Sequence, residues 1–354
     1  MMKNNLFCYA TSELSQDAFL CWLVSFALDG AKSDVALQLC SREMLKLFVP
    51  ELREQSFVLT DIERQVMHID VLLTITAGNQ IYKIAVEDKT FTREHDNQLV
   101  RYLDGLRNIY PECKVCGVYY KMGFQSDLSQ VRAAGYQIVT RAQVLALMAQ
   151  FIDRTENNIF LDYYEWWNNY HQETLLYQSL PLAQWRSPQI YAFYDDLQNS
   201  NFAKERSAWI GYGYVSNPNG GFDGLWTGLF DDHIKIQGVN CEFYLQVEPE
   251  WDVETQKYTF PIRLKLSLQP VGEQQIPTKE IRNIVIYDKD WQYQLISFNF
   301  YKPKRLATGR TMTIGEYAAV SNNAAQLQDS LVAAFEEYQR FLEYLKKDFS
   351  TSDK

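Results

Sequence analysis

The chain has 354 residues, of which 47% are hydrophobic and 22% charged, and its formal net charge at pH 7 is −10. This length exceeds one ordinary hydrophobic core, so we expect two folded domains, and the apolar content excludes a disordered chain. The negative charge argues against a protein that coats nucleic acid non-specifically. It does not exclude a nuclease, because such a site uses carboxylates to hold cations.

The sequence gives no sign of membrane insertion. Its longest apolar run, residues 18–28, has about 11 residues, whereas a membrane-spanning helix needs about 20. The six cysteines are scattered, as is typical of a protein in a reducing compartment, and the single CxxC at residues 113–116 has no second pair at zinc spacing. We therefore expect a cytoplasmic protein without a membrane partner.

Predicted helices and strands alternate in the first half of the chain. Helices are predicted at residues 12–28, 34–48, 93–109, 126–134 and 141–151, and strands at 56–60, 67–76, 81–89, 115–121 and 136–139. This alternation predicts an α/β domain over residues 1–175, with a mixed sheet flanked by helices.

The second half is richer in predicted strands. They are expected at residues 209–215, 233–236, 242–247, 258–268, 283–287 and 294–301, followed by a last helix at 323–349. Residues 176–354 are thus predicted to form a β-rich α+β domain for recognition of substrate or partner. Apolar positions on the last helix are expected to form core contacts or a homodimer interface: Leu331, Phe335, Tyr338 and Leu342.

A hairpin around Gly78 and Asn79 carries the candidate chemistry. If these two residues form the turn, counting outward places Asp70 directly opposite Glu87. Opposite side chains of an antiparallel pair lie about 5 Å apart at Cβ, close enough for two carboxylates to share a cation. A hard cation such as Mg²⁺ or Mn²⁺ suits such oxygen ligands.

The other face of this hairpin supports the same register. It pairs Val71, Leu73 and Ile75 with Val86, Ile84 and Tyr82. A slip by one residue would send the carboxylates into this apolar face, so the pattern predicts the register strongly.

Lys89 follows Glu87 by two residues and is predicted to lie on the same face, whereas Asp88 points the opposite way and is not chosen as a ligand. The Lys89 ammonium could orient an attacking water and stabilise charge that develops on a phosphate. His68 is expected opposite Lys89. Gln98 and Tyr102, four residues apart on the predicted helix, are expected to face the same cleft.

Three segments in this order resemble the PD-(D/E)XK nuclease superfamily, whose members have a restriction-endonuclease-like core: residues 69–73, 86–90 and 98–102. The resemblance covers residues 10–150 and is closest to uncharacterised bacterial and phage-associated members. Glu13 matches an acidic position that many members carry in the opening helix. The chain departs from the pattern at Ile69, where the motif has proline.

The resemblance implies a metal-dependent nuclease that hydrolyses phosphodiester bonds, with DNA as the expected substrate. Its catalytic residues would be Asp70, Glu87, Lys89, Gln98 and Glu13, and Asp70, Glu87 and Glu13 would bind Mg²⁺ or Mn²⁺. Two other functions stay open: a catalytically silent nuclease fold that acts as a binding or assembly module, and a small phosphoester hydrolase. A solvated hairpin face with cross-strand ion pairs is the simplest structural interpretation.

Overall fold

The chain divides into two compact units, Met1–Gln172 and Glu173–Lys354, close to the predicted boundary at residue 175. A computed structural model describes residues 4–31, 34–94, 97–217, 220–230, 233–254, 256–269, 277–319 and 321–350. Both units combine helices with β-sheet, so the chain is a mixed α/β protein.

The first unit follows the predicted order of elements. Its helices are α1 (Glu13–Val24), α2 (Val35–Phe48), α3 (Gln98–Ile109), α4 (Ser129–Ala133), α5 (Arg141–Met148) and α6 (Asn158–Leu175). Its strands are β1 (Val58–Val66), β2 (Ile69–Ala77), β3 (Gln80–Lys89), β4 (Lys114–Lys121) and β5 (Tyr136–Thr140). The five strands form one sheet in sequence order, antiparallel from β1 to β3 and parallel from β3 to β5.

The predicted hairpin register is confirmed. Val71 pairs with Val86 and Ala77 with Gln80, which leaves a two-residue turn. The first turn residue, Gly78, has a φ of +58°, a conformation that glycine adopts without the steric cost of a Cβ.

Each face of this sheet packs against a different set of helices. The face with Val71 and Val86 is buried in a core shared with α1, α2, α5 and α6. The opposite face, with Leu72 and Ala85, is buried beneath Leu103 and its neighbours on α3. The hairpin is thus covered on both faces along most of its length. A shift of the register would disturb the packing on both faces, so both cores favour the observed register.

One detail before this hairpin and one after it differ from the prediction. β1 extends to Val66, so that Met67 and His68 form the turn into β2 with φ values of 55° and 67°. His68 therefore lies in a turn and not in a strand opposite Lys89. The helix expected from residue 93 begins at Gln98, and Glu94 precedes it.

The second unit contains a larger antiparallel sheet. Its helices are α7 (Ser187–Asn199), α8 (Asn201–Arg206), α9 (Thr278–Ile286) and α10 (Ala324–Ser350). Its strands are β6 (Ala208–Val215), β7 (Phe222–Leu229), β8 (His233–Ile236), β9 (Val239–Val247), β10 (Glu250–Asp252), β11 (Lys257–Thr259), β12 (Ile262–Gln269), β13 (Phe300–Tyr301) and β14 (Thr311–Tyr317). The main sheet has the order β13-β14-β12-β9-β7-β6, with β8 paired to β9, and β10 pairs with β11.

Two predicted strands of this unit are wrong. Residues 283–287 lie mostly in α9, where Ile281 and Val285 are fully buried on one helix face, four residues apart. Residues 294–298 form a short 3₁₀ helix, so that only Phe300–Tyr301 remains a strand there. Runs rich in isoleucine and valine favour strand locally, but burial of one helix face outweighs that preference.

The apolar side of α10 belongs to the core of its own unit. Leu331, Phe335, Tyr338 and Leu342 are at most 1% exposed. The Tyr338 hydroxyl donates a hydrogen bond to the carbonyl of Phe243 at 2.7 Å. These four positions are not free for the predicted homodimer contact, because they are already covered within the chain.

Within the described part of the chain, no helix combines the length and the apolar character that a bilayer crossing requires.

A truncation on α3 tests how this helix covers the sheet. Leu103→Ala removes a side chain that is 2% exposed, and we expect it to lower the free energy of unfolding by about 3 kcal/mol. Val100→Ala, on the same helix at a position 43% exposed, is the matched control and should cost much less. Urea denaturation measures both values. Equal costs would contradict the described packing of α3.

Candidate active site

Asp70, Glu87 and Lys89 come together at the end of the hairpin that lies away from its turn. Asp70 is the second residue of β2, and Glu87 and Lys89 are close to the end of β3. The Lys89 Nζ lies 2.7 Å from Oε1 of Glu87 and 3.8 Å from Oδ2 of Asp70. The predicted grouping of two carboxylates and one amine is therefore present in the structure.

Glu87 is the most deeply buried member of this group. The residue is 1% exposed, and its Oε2 atom has no hydrogen-bond partner among the described residues. Burial, and after it the nearby Asp70 carboxylate, raise the pKa of Glu87 to about 7. A solvated, ion-paired face does not fit this degree of burial, because a surface pair keeps its carboxylate in water.

The Lys89 ammonium compensates the two carboxylates. Burial alone would lower the pKa of Lys89, but the charges of Glu87 and Asp70 outweigh it and the pKa is raised. The ammonium also donates a hydrogen bond to the carbonyl oxygen of Asp88 at 3.2 Å. Lys89 therefore stays charged, and its position between two acids is electrostatically favourable.

The first two turns of α3 contribute two polar side chains, as predicted. The Nε2 of Gln98 donates to Oε1 of Glu87 at 2.9 Å and to the hydroxyl oxygen of Tyr102 at 2.7 Å. Gln98 thus links the helix to the buried carboxylate. Glu94, which precedes the helix, accepts hydrogen bonds from Tyr119 and Gln125.

Glu13 lies at the start of α1 and contacts the segment that follows Lys89. Its Oε1 accepts hydrogen bonds from the backbone N–H of Thr90 at 2.9 Å and from Oγ1 of Thr92 at 2.7 Å. Lys121 donates to the carbonyl oxygens of the same two threonines. Glu13 thus accepts from the hydrogen-bond donors of this segment, and Lys121 donates to its carbonyl oxygens.

The described residues contain no group of three or more His, Cys, Asp or Glu side chains placed to hold a metal ion. The predicted ligand set of Glu13, Asp70 and Glu87 is thus not assembled as a group of three. Asp70 and Glu87 are the two members that lie at the same end of the hairpin.

Asp17, a third acidic residue near Asp70, was not among the predicted site residues. It is 1% exposed, and its Oδ1 has no hydrogen-bond partner among the described residues. Burial and the charge of Asp70 raise the pKa of Asp17 to about 6. The available signal was its spacing, because Asp17 follows Glu13 by four residues and so shares its face of α1.

Asp88 lies on the opposite face of β3 from Glu87, as strand alternation predicts. It is 1% exposed and accepts a hydrogen bond from Gln16 of α1. Burial, and after it the charge of Asp17, raise the pKa of Asp88 well above its ordinary value. The backbone N–H of Asp88 donates to Oδ2 of Asp70 at 2.9 Å, so the strand itself helps to orient Asp70.

Comparison of the chain with protein-family models, with curated proteins and with solved structures finds no match. The residues and their geometry are therefore the basis for a functional proposal.

The raised pKa of Glu87 predicts a pH-dependent stability. At pH below about 4.5 the carboxyl is protonated in the folded and unfolded chain, and it makes no pH-dependent contribution. Between pH 4.5 and 7 the unfolded chain releases this proton while the folded chain keeps it, so stability falls as the pH rises. Above pH 7 the full cost applies, up to about 3 kcal/mol.

Glu87→Gln removes this titration. We expect the stability of the variant, relative to the unaltered protein, to increase from pH 4.5 to pH 8 in the presence of a chelator. Urea denaturation at the two pH values measures the difference. Glu63→Gln, at a side chain 33% exposed, is the control and should show little change. A pH-independent difference for Glu87→Gln would contradict the described burial.

Proposed function

We propose that the first unit is a metal-dependent nuclease of PD-(D/E)XK type, with a restriction-endonuclease-like arrangement of its sheet. One observation carries the proposal: a carboxylate that is 1% exposed, with one unpartnered oxygen, lies beside a second acid and an ammonium. Burying like charges together is costly, and such arrangements are typical of functional sites.

The order of elements gives further support. A strand with Asp70 is followed by a strand with Glu87 and Lys89, and then by a helix with Gln98 and Tyr102, as in the nuclease superfamily that the sequence resembles. The sheet is mixed, with helices on both faces.

The donor set fits a hard divalent cation. Mg²⁺ binds through one or two carboxylates, with waters and substrate phosphate oxygens as its other ligands, so a set of two acids is sufficient. Asp70 and Glu87 would hold Mg²⁺ or Mn²⁺, and the unpartnered Oε2 of Glu87 is an available ligand atom. When bound, such a cation lowers the pKa of a water and screens the charge of the phosphate.

The other residues would act on the substrate or position the acids. Lys89 would move its ammonium from the carboxylates towards the phosphate, where it stabilises negative charge that develops during hydrolysis. Gln98 would keep Glu87 in place through its contact with Oε1. The contacts of Glu13 favour a positioning role, because its Oε1 is already used to hold Thr90 and Thr92.

The proposed substrate is nucleic acid, with DNA as the first candidate, and the second unit would contribute recognition. Because the net charge of the chain is negative, local basic side chains rather than the whole surface would contact the phosphates of a nucleic acid.

Cleavage assays with supercoiled, linear and single-stranded DNA and with RNA, each with Mg²⁺ or Mn²⁺, test this function. We expect hydrolysis by the unaltered protein and a rate at least about 100-fold lower for Lys89→Met, because a donor to the developing charge is lost. Lys83→Met is the matched control. It removes a lysine from the same face of the same strand, whose ammonium contacts Thr74, and should leave the rate unchanged.

Three results would count against the proposal. Absence of cleavage by the unaltered protein with every substrate and cation would favour a silent nuclease fold that serves as a binding module. Hydrolysis of small phosphodiesters that long DNA or RNA does not inhibit would favour a phosphoester hydrolase. Equal rates for Lys89→Met and Lys83→Met would remove Lys89 from the chemistry.

A further inference from the structure

Gln65 has an unusual backbone conformation directly beside the candidate site. It lies in β1 between Arg64, which pairs with Val71, and Val66, which pairs with Ile69. This register places Gln65 opposite Asp70. Its φ is +54°, in the left-handed region, where a residue with a Cβ is sterically disfavoured.

The side chain of Gln65 lies between two carboxylates from different elements. Its Nε2 is 3.3 Å from Oδ1 of Asp70 on β2 and 3.4 Å from Oδ2 of Asp17 on α1. A side-chain amide carries two N–H donors, so one nitrogen can serve both acids. Without such a donor, the two carboxylates would face each other with like charge.

The hydrogen bonds of Asp70 show how the Gln65 amide contributes to the orientation of the Asp70 carboxylate. Oδ2 of Asp70 accepts from the backbone N–H of Asp88, which any residue at that position would supply. Oδ1 instead accepts from the side chain of Gln65. Among the described residues, these two hydrogen bonds orient the Asp70 carboxylate, and the Lys89 ammonium lies 3.8 Å from its Oδ2.

The fold itself gives no reason to prefer glutamine at this position. Gln65 is exposed, and glycine would adopt a positive φ at a lower steric cost. Residues held in sparsely populated backbone regions persist where the surroundings require them, often at functional sites.

We propose that Gln65 is a positioning residue, held in a strained backbone conformation so that its amide fixes Asp70 against Asp17 for metal binding. The inference rests on the proposed function, because it assigns Gln65 a part in the metal site of that function. Gln65 does not touch the reacting atoms. It acts through Asp70.

Two substitutions separate the amide from the backbone strain. Gln65→Ala removes the amide and keeps the strain, whereas Gln65→Gly removes both. We expect both variants to bind Mn²⁺ about 10-fold more weakly than the unaltered protein, since loss of a residue that orients a ligand typically costs this much. Only Gln65→Gly should melt at a higher temperature, by about 2 °C.

Isothermal titration with Mn²⁺ and thermal unfolding in chelator measure the two properties, with the full chain in each case. His68→Gly is the matched control, because His68 has a φ of +67° in the adjoining turn. It should raise the melting temperature without weakening Mn²⁺ binding. A merely structural role for Gln65 would change stability and affinity in the same direction, whereas the proposal requires opposite directions in Gln65→Gly.

The outcomes distinguish failure of the positioning role of Gln65 from failure of the proposed nuclease function. Mn²⁺ affinities of Gln65→Ala and Gln65→Gly that equal the unaltered value would overturn the positioning role and leave the metal site intact. Absence of Mn²⁺ binding by the unaltered protein would overturn the proposed function. The role of Gln65 in metal binding would fall with it, and crystal structures of the unaltered protein and of Gln65→Ala would then test the positioning alone: a displaced Asp70 carboxylate supports it, and an unmoved one overturns it.

Discussion

Two carboxylates of the first unit, one buried and one partly exposed, lie together beside an ammonium group. Glu87 is almost fully buried beside Asp70, and the Lys89 ammonium 2.7 Å from Glu87 compensates their charge. Burial of a carboxylate costs several kcal/mol unless the group is well paired and hydrogen-bonded, so this arrangement persists only if the surrounding structure holds the ion pair firmly. The hairpin, its flanking helices and the segment after Lys89 all contribute to that support.

The support comes from both faces of the sheet. Apolar residues on one face of β2 and β3 pack into the larger core, and α3 covers the other face and delivers Gln98 to Glu87. Beyond the end of β3, Glu13 and Lys121 fix the next residues of the chain. The backbone at Gln65 adds a local strain next to Asp70, which the well-packed sheet can sustain.

The sequence was most informative where the signal is local. A two-residue turn, and the apolar positions that alternate with Asp70 and Glu87, predicted the register and with it the meeting of these two residues. The contributions of Asp17 and Gln65 were missed because they depend on packing of α1 and on a left-handed residue in β1. The spacing of Asp17 four residues after Glu13 indicates a shared helix face but not what that face contacts, and the left-handed conformation of Gln65 leaves no pattern in neighbouring residues.

The second unit shows the limit of propensity more clearly. Ile284, Val285 and Ile286 suggested a strand, yet all three lie in α9, where Val285 and Ile286 are on its buried side. On α10 the helix was predicted correctly, and of the two predicted roles for its apolar face, core or homodimer contacts, the structure has the core contacts, such as that of Tyr338 with Phe243. An apolar helix face indicates burial, and the partner that covers it depends on the tertiary fold.

The proposed nuclease function requires Asp70 and Glu87 to act together as ligands of one cation. X-ray diffraction from crystals soaked in Mn²⁺, recorded near the manganese absorption edge, measures this directly. We expect an anomalous peak within bonding distance of both carboxylates, with the Lys89 ammonium moved away from Glu87. Mn²⁺ at other sites only, with Lys89 still paired to Glu87, would contradict it.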